Sequence, residues 1–238
     1  MHPIPIQDRL KGSIWGQFIG STFSPEYSEI RSFYGDAALL MLTSLTRQHG
    51  FAARDFGTLY VETFASPDYP QLINQTTEET IENYHFSLEE GHPDLGYEFQ
   101  GGANTTTIDT ATRLAPVVAF YWNDPKLLYI IDKATRVTQN NELTVAFMRS
   151  YARILSNLFQ GQDFHQAIVD ETNPGPDDTP LDTHVREKIK QALSLVSHSS
   201  ASAAEKFGKG SLLDQCYPLA IQTALKHSNS FKNAIEEN

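Results

Sequence analysis

The sequence predicts an all-α fold, a compact single-domain orthogonal helical bundle that occupies residues 1–238. Three observations predict it. Apolar residues recur at intervals of three and four, which places them on one face of a helix. Capping side chains precede prolines at several points, as they do where helices begin. Long runs of alternating apolar and polar residues, which strands would need, are missing.

The clearest helical pattern lies between residues 143 and 158, and three others lie near residues 39–46, 56–64 and 212–225. The apolar positions of the first are Leu143, Phe147, Tyr151, Ile154, Leu155 and Leu158. Those of the other three are Leu39, Leu42, Leu45 and Thr46; Phe56, Leu59, Tyr60 and Phe64; and Leu212, Leu213, Leu219, Ile221 and Leu225. Each set predicts a helix that packs one face against the core.

Helix starts are predicted at five places. Ser24-Pro25, Asp124-Pro125 and Thr179-Pro180 each put a capping side chain before a proline, and Thr76/Glu79 and Asp163/Gln166 have the spacing of a capping box. Between helices, the polar stretches 91–107, 171–182 and 197–202 are predicted to be loops.

Charge and cysteine content exclude several classes of function. The formal net charge of −11 repels phosphate backbones and anionic lipids, so we expect neither nucleic acid nor a membrane as a partner. Cys216 is the only cysteine, which rules out an internal disulfide and a thiolate zinc cluster. No cationic and apolar leader follows Met1, and the apolar stretches are much shorter than the roughly 20 residues of a membrane helix. We therefore expect a cytoplasmic protein.

The residues alone indicate little chemistry. A serine-hydrolase elbow, a phosphate loop, a dinucleotide fingerprint and a zinc-binding H-E-x-x-H helix are absent. The eight histidines include no i, i+4 pair on a helix face. Gly12, Gly16 and Gly20 form a stripe of small residues on the first predicted helix, which favours the close approach of another helix.

Taken in order, four segments resemble motifs of the ADP-ribosylglycohydrolase family. They are Lys11-Gly-Ser-Ile-Trp-Gly-Gln-Phe-Ile-Gly20, Tyr34-Gly-Asp-Ala-Ala-Leu-Leu-Met-Leu-Thr-Ser-Leu45, Ala111-Thr-Arg-Leu-Ala-Pro-Val-Val-Ala119 and Phe207-Gly-Lys-Gly-Ser211. The second is most similar to the subgroup that contains the jellyfish J crystallins. The resemblance covers nearly the whole chain and implies a helical domain that binds two magnesium ions in a central cleft. Such a domain hydrolyses the glycosidic bond at C1″ of ADP-ribose.

Two magnesium ions need converging carboxylates, because magnesium prefers oxygen ligands in octahedral geometry. The aspartate of the family's first motif falls on Ser21, and the second motif retains only Asp36 before Ala37 and Ala38. The family's histidine falls on Gln139, which cannot carry a proton at neutral pH. The last aspartate motif, with the helix that carries it, would follow Asn238. The resemblance thus implies Asp36 as the remaining metal ligand and catalytic carboxylate, with magnesium as the cofactor.

The resemblance also assigns substrate binding to three residues of the polar segment that lines the family's cleft: Asn104, Thr106 and Asp109. Structural alternatives stay open for the charged residues. Asp36 could be the N-cap of its helix, and Asp109 could be a surface cap. Arg113 matches the family's helix arginine, and we expect it to pair with a carboxylate in the interior.

Two functions follow from this resemblance. In the first, the chain keeps the fold with weakened or lost hydrolysis, and it binds an ADP-ribose-like small molecule, an ADP-ribosylated protein or another protein partner, or it serves as a structural protein as crystallins do. In the second, it is a divergent or truncated magnesium-dependent hydrolase of ADP-ribosylated substrates. An apolar surface where the family's last helix would pack predicts self-association or a partner there.

Overall fold

The computed structural model describes residues 4–22, 32–91, 101–175 and 178–237. These residues form twelve α-helices and one 3-10 helix, which confirms the all-α prediction. The α-helices are α1 (Ile6–Thr22), α2 (Phe33–Gln48), α3 (Ala53–Phe64), α4 (Gln75–Glu89), α5 (Ala115–Tyr121), α6 (Leu127–Arg136), α7 (Glu142–Phe159), α8 (Phe164–Asp170), α9 (Pro180–Ser194), α10 (Ser200–Phe207), α11 (Leu213–Lys226) and α12 (Phe231–Glu236). The 3-10 helix is Ile108–Arg113. None of these helices is both long and apolar enough to cross a membrane.

The longest helix, α7, lies at the centre of the fold and packs against α1, α5, α6, α8, α9 and α11. Asn141 starts it by accepting hydrogen bonds from the backbone N–H groups of Leu143 and Thr144, at 3.0 and 3.1 Å. Neighbours on several sides bury consecutive residues of this helix, from Thr144 to Met148. The predicted helix at 143–158 is therefore confirmed, and its buried surface is wider than one amphipathic face.

The predicted helix starts have mixed outcomes. Thr179 caps α9 in a full capping box with Asp182, and Asp163 caps α8 by accepting from Gln166 N at 3.1 Å. The prediction at Asp124-Pro125 is wrong, because α6 begins at Leu127 and Asp124 instead accepts from Lys126 N at 2.8 Å. The Ser24-Pro25 prediction lies outside the described residues.

The capping box predicted at Thr76 is also wrong. Asn74 is the N-cap of α4 and accepts from Thr77 N at 3.0 Å. Thr76 lies inside the first turn of α4, where its hydroxyl meets those of Thr105 and Thr107 at 3.1 and 3.0 Å. Its side chain therefore makes tertiary contacts, because these two partners are about thirty residues away along the chain.

Two of the predicted loops are shorter than expected. The stretch predicted at 171–182 ends when α9 begins at Pro180, and the one predicted at 197–202 ends when α10 begins at Ser200. In both places a serine or threonine caps the next helix, so the polar residues that suggested a loop include the first turn of a helix. The third prediction holds for residues 101–107, while residues 92–100 lie outside the description.

The loop at residues 101–107, called the polar loop below, is fixed on both sides by backbone hydrogen bonds. Ala103 N donates to Thr138 O at 3.2 Å, and Asn140 N donates to Ala103 O at 2.9 Å. At the other end, Leu213 N donates to Thr106 O at 2.8 Å and Ile108 N donates to Ser211 O at 3.0 Å. Backbone hydrogen bonds therefore connect the loop to the segment after α6 on one side and to the start of α11 on the other.

Gly102 is the point of closest approach in this arrangement. A Cβ atom there would lie 2.5 Å from the carbonyl carbon of Thr138 and 2.6 Å from the carbonyl oxygen of Arg136. Both are backbone atoms that the hydrogen bonds hold in place, so neither can move aside cheaply. Only glycine fits here.

We predict that Gly102→Ala destabilises the protein by about 3 kcal/mol, because overpacking typically costs about 1–3 kcal/mol and the neighbouring backbone atoms are fixed. The measurement is urea unfolding followed by circular dichroism. Gly20→Ala is the matched control, because open space surrounds the position of its Cβ atom. The same substitution in that helix is expected to be neutral or stabilising by up to about 1 kcal/mol. Equal effects of the two substitutions would contradict the packing account.

Candidate functional site

The carboxylate of Asp36 lies in the first turn of α2, near the end of α1. It is 9% exposed, and the hydroxyl of Tyr69 donates to its Oδ2 atom at 3.0 Å. The alternative that Asp36 is an N-cap is wrong, because Ser32 is the cap and accepts from Gly35 N at 3.0 Å. Asp36 is therefore a buried side chain held by a tyrosine.

Ser21, which takes the place of the family's first aspartate, lies beside this turn. A Cβ atom on Gly35 would come within 3.1 Å of the Ser21 Oγ atom. The Ser21 hydroxyl donates to the carbonyl oxygen of Phe18 in its own helix at 2.8 Å. A neutral hydroxyl beside the first turn of α2 thus adds no charge for binding a cation.

The second carboxylate of the site belongs to Asp109 in the 3-10 helix. It is only 2% exposed and accepts hydrogen bonds from the Asn74 side-chain amide and the Thr107 hydroxyl. The alternative that Asp109 is a surface cap is wrong, because it is buried among these donors and Thr107 is the N-cap residue of the 3-10 helix. Buried carboxylates are stable when such donors surround them.

Tyr34 connects α2 to this carboxylate. Its hydroxyl forms hydrogen bonds with Asn74 and Asp109, and burial together with the negative charge of Asp109 raises the pKa of Tyr34. Cys216 is close enough to Asp109 to be affected by the same charge, and mainly burial raises the pKa of its thiol to about 11. The thiol is therefore protonated at neutral pH and is a poor nucleophile.

Arg113 is completely buried beneath the site. Its guanidinium donates to the carbonyl oxygen of Asp109 and to the hydroxyl of Thr110, both at 3.0 Å. It lies over the rings of Phe56 and Tyr60, 5.9 and 5.5 Å from their centroids. Burial lowers the pKa of Arg113, and Tyr60 and Asp109 partly oppose this effect. The expected partner was an interior carboxylate, but the direct contacts are a carbonyl, a hydroxyl and two aromatic rings.

Gln139 stands where the resemblance places a histidine, and it holds the polar loop in position. Its Oε1 atom accepts from Thr110 N at 2.8 Å, and its Nε2 atom donates to Thr107 O at 2.9 Å. The same amide nitrogen also lies 3.1 Å from the Thr105 hydroxyl. Gln139 is 0% exposed, so its role among these contacts is structural.

The structure separates the predicted substrate-binding residues. Asn104 lines an open groove of about 670 Å³ on the surface, where it accepts from Asn141 Nδ2 at 2.7 Å. The lining of this groove includes neither Asp36 nor Asp109. Thr106 takes part through its backbone carbonyl, which binds Leu213 N. Of the predicted residues, Asp109 is therefore the one that interacts with Tyr34, while Asp36 accepts from Tyr69.

Sequence reasoning missed the residues that hold the two carboxylates: Tyr34, Tyr69, Asn74 and Thr107. Asn74 could have been found as a helix cap, since an asparagine precedes the polar first turn of α4. Nothing in the local sequence marks Tyr69 or Tyr34 as partners of aspartates, because the contacts join segments that are distant along the chain.

The donor set does not fit a pair of magnesium ions. Magnesium requires octahedral coordination by oxygen, and a pair requires several shared carboxylates. In the four described stretches no three His, Cys, Asp or Glu side chains are grouped so that they could hold a metal ion. The oxygen atoms of Asp109 already accept from protein donors, and Asp36 accepts from Tyr69.

The fold and the order of these segments define the class of protein. The sequence profile described as ADP-ribosylglycohydrolase matches residues 2–238, so the chain belongs to the ADP-ribosylglycohydrolase family. This family is generally metal-dependent. A solved ADP-ribosylglycohydrolase-related protein complex shares the fold, with a TM-score of 0.65 and 20% identity over 98% of this chain and 80% of that chain.

Among curated proteins, the chain is similar to crystallin J1B of Tripedalia cystophora. The two are 23% identical over 222 residues, which cover 89% of this chain. The chain spans 66% of the length of that crystallin. The resemblance to the J crystallin subgroup is thereby confirmed.

We predict that Gln139→Ala destabilises the protein by about 3 kcal/mol, because the Thr110 N–H group loses its partner and a cavity forms. Gln139→Glu should cost more, since it places a carboxylate against the carbonyl oxygens of the polar loop. Gln160→Ala, at an exposed helix end, is the control and should change stability by less than about 0.5 kcal/mol. Unfolding in urea measures all three, and a Gln139→Glu protein as stable as the parent would refute this role.

The buried tyrosines predict a loss of stability at alkaline pH. Burial raises the pKa of Tyr60 from 10.0 to about 12, so the folded protein keeps a proton that the unfolded chain releases. The contribution of Tyr60 to the free energy of unfolding is therefore fully present below pH 10. It is lost as the pH rises toward 12, which lowers the free energy of unfolding by roughly 2–3 kcal/mol. The free energy of unfolding measured across this range should fall less steeply in Tyr60→Phe. An identical slope would contradict the assignment.

Proposed function

We propose that this chain is a member of the ADP-ribosylglycohydrolase family that does not hydrolyse ADP-ribosyl bonds, and that it binds an ADP-ribose-like ligand without a metal pair. The observation that carries the proposal is the state of the two carboxylates, which accept hydrogen bonds from protein donors. A hydrolase of this kind needs oxygen ligands that are available to metal ions.

Asp36 is the residue we assign to ligand contact. It is the more exposed of the two carboxylates, and the Ser21 hydroxyl lies beside the same turn of α2 at Gly35, so both groups suit the hydroxyl groups of a ribose. Asp109 is a positioning residue, because its hydrogen bonds hold Tyr34 and Asn74. Two negative charges repel a diphosphate, so we expect weak binding that depends mainly on the sugar.

In a related form of this proposal, the ligand is an ADP-ribosylated protein or a protein that is recognised without ADP-ribose. The open groove around Asn104 supports it, because side-chain amides in a shallow polar groove can hydrogen-bond to a polypeptide backbone. We further propose that residues 1–238 form a single domain, which the one continuous hydrophobic core of the described residues supports.

A divergent hydrolase is the second candidate. It is favoured by two buried carboxylates: Asp36 lies in the first turn of α2, and Asp109 interacts with Tyr34 of the same turn. Such an enzyme would use Asp36 to bind a cation and would require Tyr69 to release it.

Calorimetric titration with ADP-ribose, with and without magnesium, distinguishes the two candidates. For a protein that only binds ADP-ribose, magnesium should change the dissociation constant of ADP-ribose by less than about twofold, because magnesium binding and ADP-ribose binding are not coupled. ADP-ribosylated peptides should remain intact during prolonged incubation. Asp36→Asn should weaken ADP-ribose binding, whereas Asp170→Asn, on the exposed end of α8, should leave it unchanged.

The opposite results would establish the hydrolase. These are binding of magnesium and ADP-ribose that is mutually dependent and lost in Asp36→Ala, or release of ADP-ribose that Asp36→Asn abolishes. Binding of neither ADP-ribose nor an ADP-ribosylated peptide would also contradict the proposal.

A further inference from the structure

A groove of about 920 Å³, called the α7 groove below, follows one face of α7. Its other walls come from the end of α5, the start of α6, the loop after α8 and the start of α9. None of the residues that surround Asp36 and Asp109 belongs to its lining. The volume is within the range of small-molecule sites in proteins, which is about 300–1,000 Å³. The α7 groove is therefore a separate place where a ligand fits.

Asp182 supplies this groove with a carboxylate oxygen that no protein donor uses. The side chain is only 5% exposed, and its Oδ2 atom accepts from the backbone N–H and the hydroxyl of Thr179, at 2.9 and 2.7 Å. The Oδ1 atom accepts no hydrogen bond from the described residues, yet it is open to solvent. Arg153 Nη2, at 3.9 Å from Oδ1, is too distant for a hydrogen bond.

The carboxylate of Asp182 is ionised at neutral pH. Burial opposes ionisation, but the hydrogen bonds from Thr179 and the charges of Arg153 and Arg149 lower the pKa of Asp182. An ionised oxygen in a nearly buried position is costly unless donors surround it. The Oδ1 atom therefore favours a ligand that brings a hydrogen-bond donor.

Two arginines one turn apart on α7 supply free donors beside this oxygen. Arg153 uses its Nε and Nη2 atoms for Glu171, at 2.9 and 2.5 Å, and Arg149 uses its Nη2 atom for Asp132 at 2.8 Å. The Nη1 atoms of both arginines have no partner in the described part of the chain and are open to solvent. The groove thus presents N–H donors and a carboxylate acceptor next to each other.

This combination of charges selects against charged ligands of either sign. A phosphate that accepts from Arg149 and Arg153 lies against Asp182 and Glu171, whose negative charges repel it. An amine that donates to Asp182 lies against the two arginines. A hydroxyl group both donates and accepts, so two neighbouring hydroxyls can donate to Asp182 Oδ1 and accept from Arg153 Nη1. The donor set therefore fits an uncharged ligand with several hydroxyl groups.

Aromatic side chains in the same lining narrow the ligand further. Trp122 follows α5, and Tyr129 of α6 is 57% exposed. Aromatic rings present a flat apolar surface, which suits the C–H face of a sugar ring. Hydroxyl partners next to a flat apolar surface are the two features that a sugar needs.

We propose that the α7 groove binds a neutral sugar. Asp182 and Arg153 hold two neighbouring hydroxyls of one ring, Arg149 binds a further hydroxyl, and the C–H face of the sugar packs on Tyr129. This site is independent of the carboxylates of Asp36 and Asp109, because the two linings share no residue.

A glycan array probed with the labelled full chain tests the class of ligand. The array carries neutral glucans, mannans, galactans and chitin oligosaccharides beside sialylated, sulfated and phosphorylated glycans. We expect binding to at least one neutral glycan, confirmed in solution by calorimetric titration. Binding to no neutral glycan, or to acidic glycans alone, would overturn the proposal. Inorganic phosphate or spermidine that displaces the glycan at millimolar concentration would also contradict it, because the groove would then select by charge.

Asp182→Asn tests the central contact. It should weaken binding of the selected glycan by about tenfold or more, because a hydroxyl loses its bond to a charged acceptor. Glu187→Gln, at an exposed position of the same helix outside the groove, is the control and should bind like the parent. Thermal unfolding shows whether the cap of α9 survives the substitution. A folded Asp182→Asn protein with the affinity of the parent would refute the assignment.

Tyr129→Ala tests the aromatic contact at a position where folding is not at stake. Because the ring is largely exposed, the variant should fold normally and bind the glycan at least about threefold more weakly. Phe120→Ala removes a ring that is 50% exposed outside the groove, and it should leave the affinity unchanged. Equal losses in the two variants would show that the sugar does not lie on Tyr129.

Discussion

The side-chain amide of Gln139 is the contact on which the polar loop depends. The loop lies between α6 and α11 and is buried at residues 101–103, where its backbone groups cannot rely on water and need protein partners. Gln139 supplies one acceptor to Thr110 N and one donor to Thr107 O. The hydroxyls of Thr76 and Thr144 add bonds to Thr107 and Thr105. Because Asp109 follows this loop directly, its position depends on the same bonds.

This arrangement has a consequence for the chemistry of the site. The oxygen and the nitrogen of the Gln139 side-chain amide both form hydrogen bonds with backbone groups in and next to the polar loop. This amide cannot take up or release a proton at neutral pH. The carboxylate of Asp109 is surrounded by donors that hold it, and the charge of Arg113 is buried below among aromatic rings. The polar residues of the site thus stabilise one another through hydrogen bonds.

Local sequence patterns predicted the helices, and they predicted the caps only in part. Thr179 and Asp163 cap their helices as predicted, because a cap depends on the residue and the first turn that follows it. The same rule failed at Asp124 and Thr76, where the neighbouring Lys126 and Asn74 begin the helices. A pattern of residue types allows several starting positions one or two residues apart, and tertiary contacts select among them.

The sequence predicts which residues belong to the site better than it predicts how they are arranged. The resemblance identified Asp36, Ser21 and Gln139 by their order along the chain. The burial of Asp109 and its bonds with Asn74 and Tyr34 depend on contacts between segments far apart, which no local pattern contains. The separation of Asn104 from Asp109 has the same cause: Asn104 lines a surface groove, whereas Asp109 is buried among donors from other segments.

We propose that the described residues of the site lack the ligands for a pair of divalent cations. Titration with Mn²⁺, followed by electron paramagnetic resonance, tests this most directly, because the ion reports its own binding without any need for turnover. Manganese prefers the same oxygen ligands as magnesium. We expect the signal to remain that of the free ion until millimolar concentration, with no spin coupling between ions. Micromolar binding of two coupled Mn²⁺ ions that disappears in Asp36→Asn would contradict it.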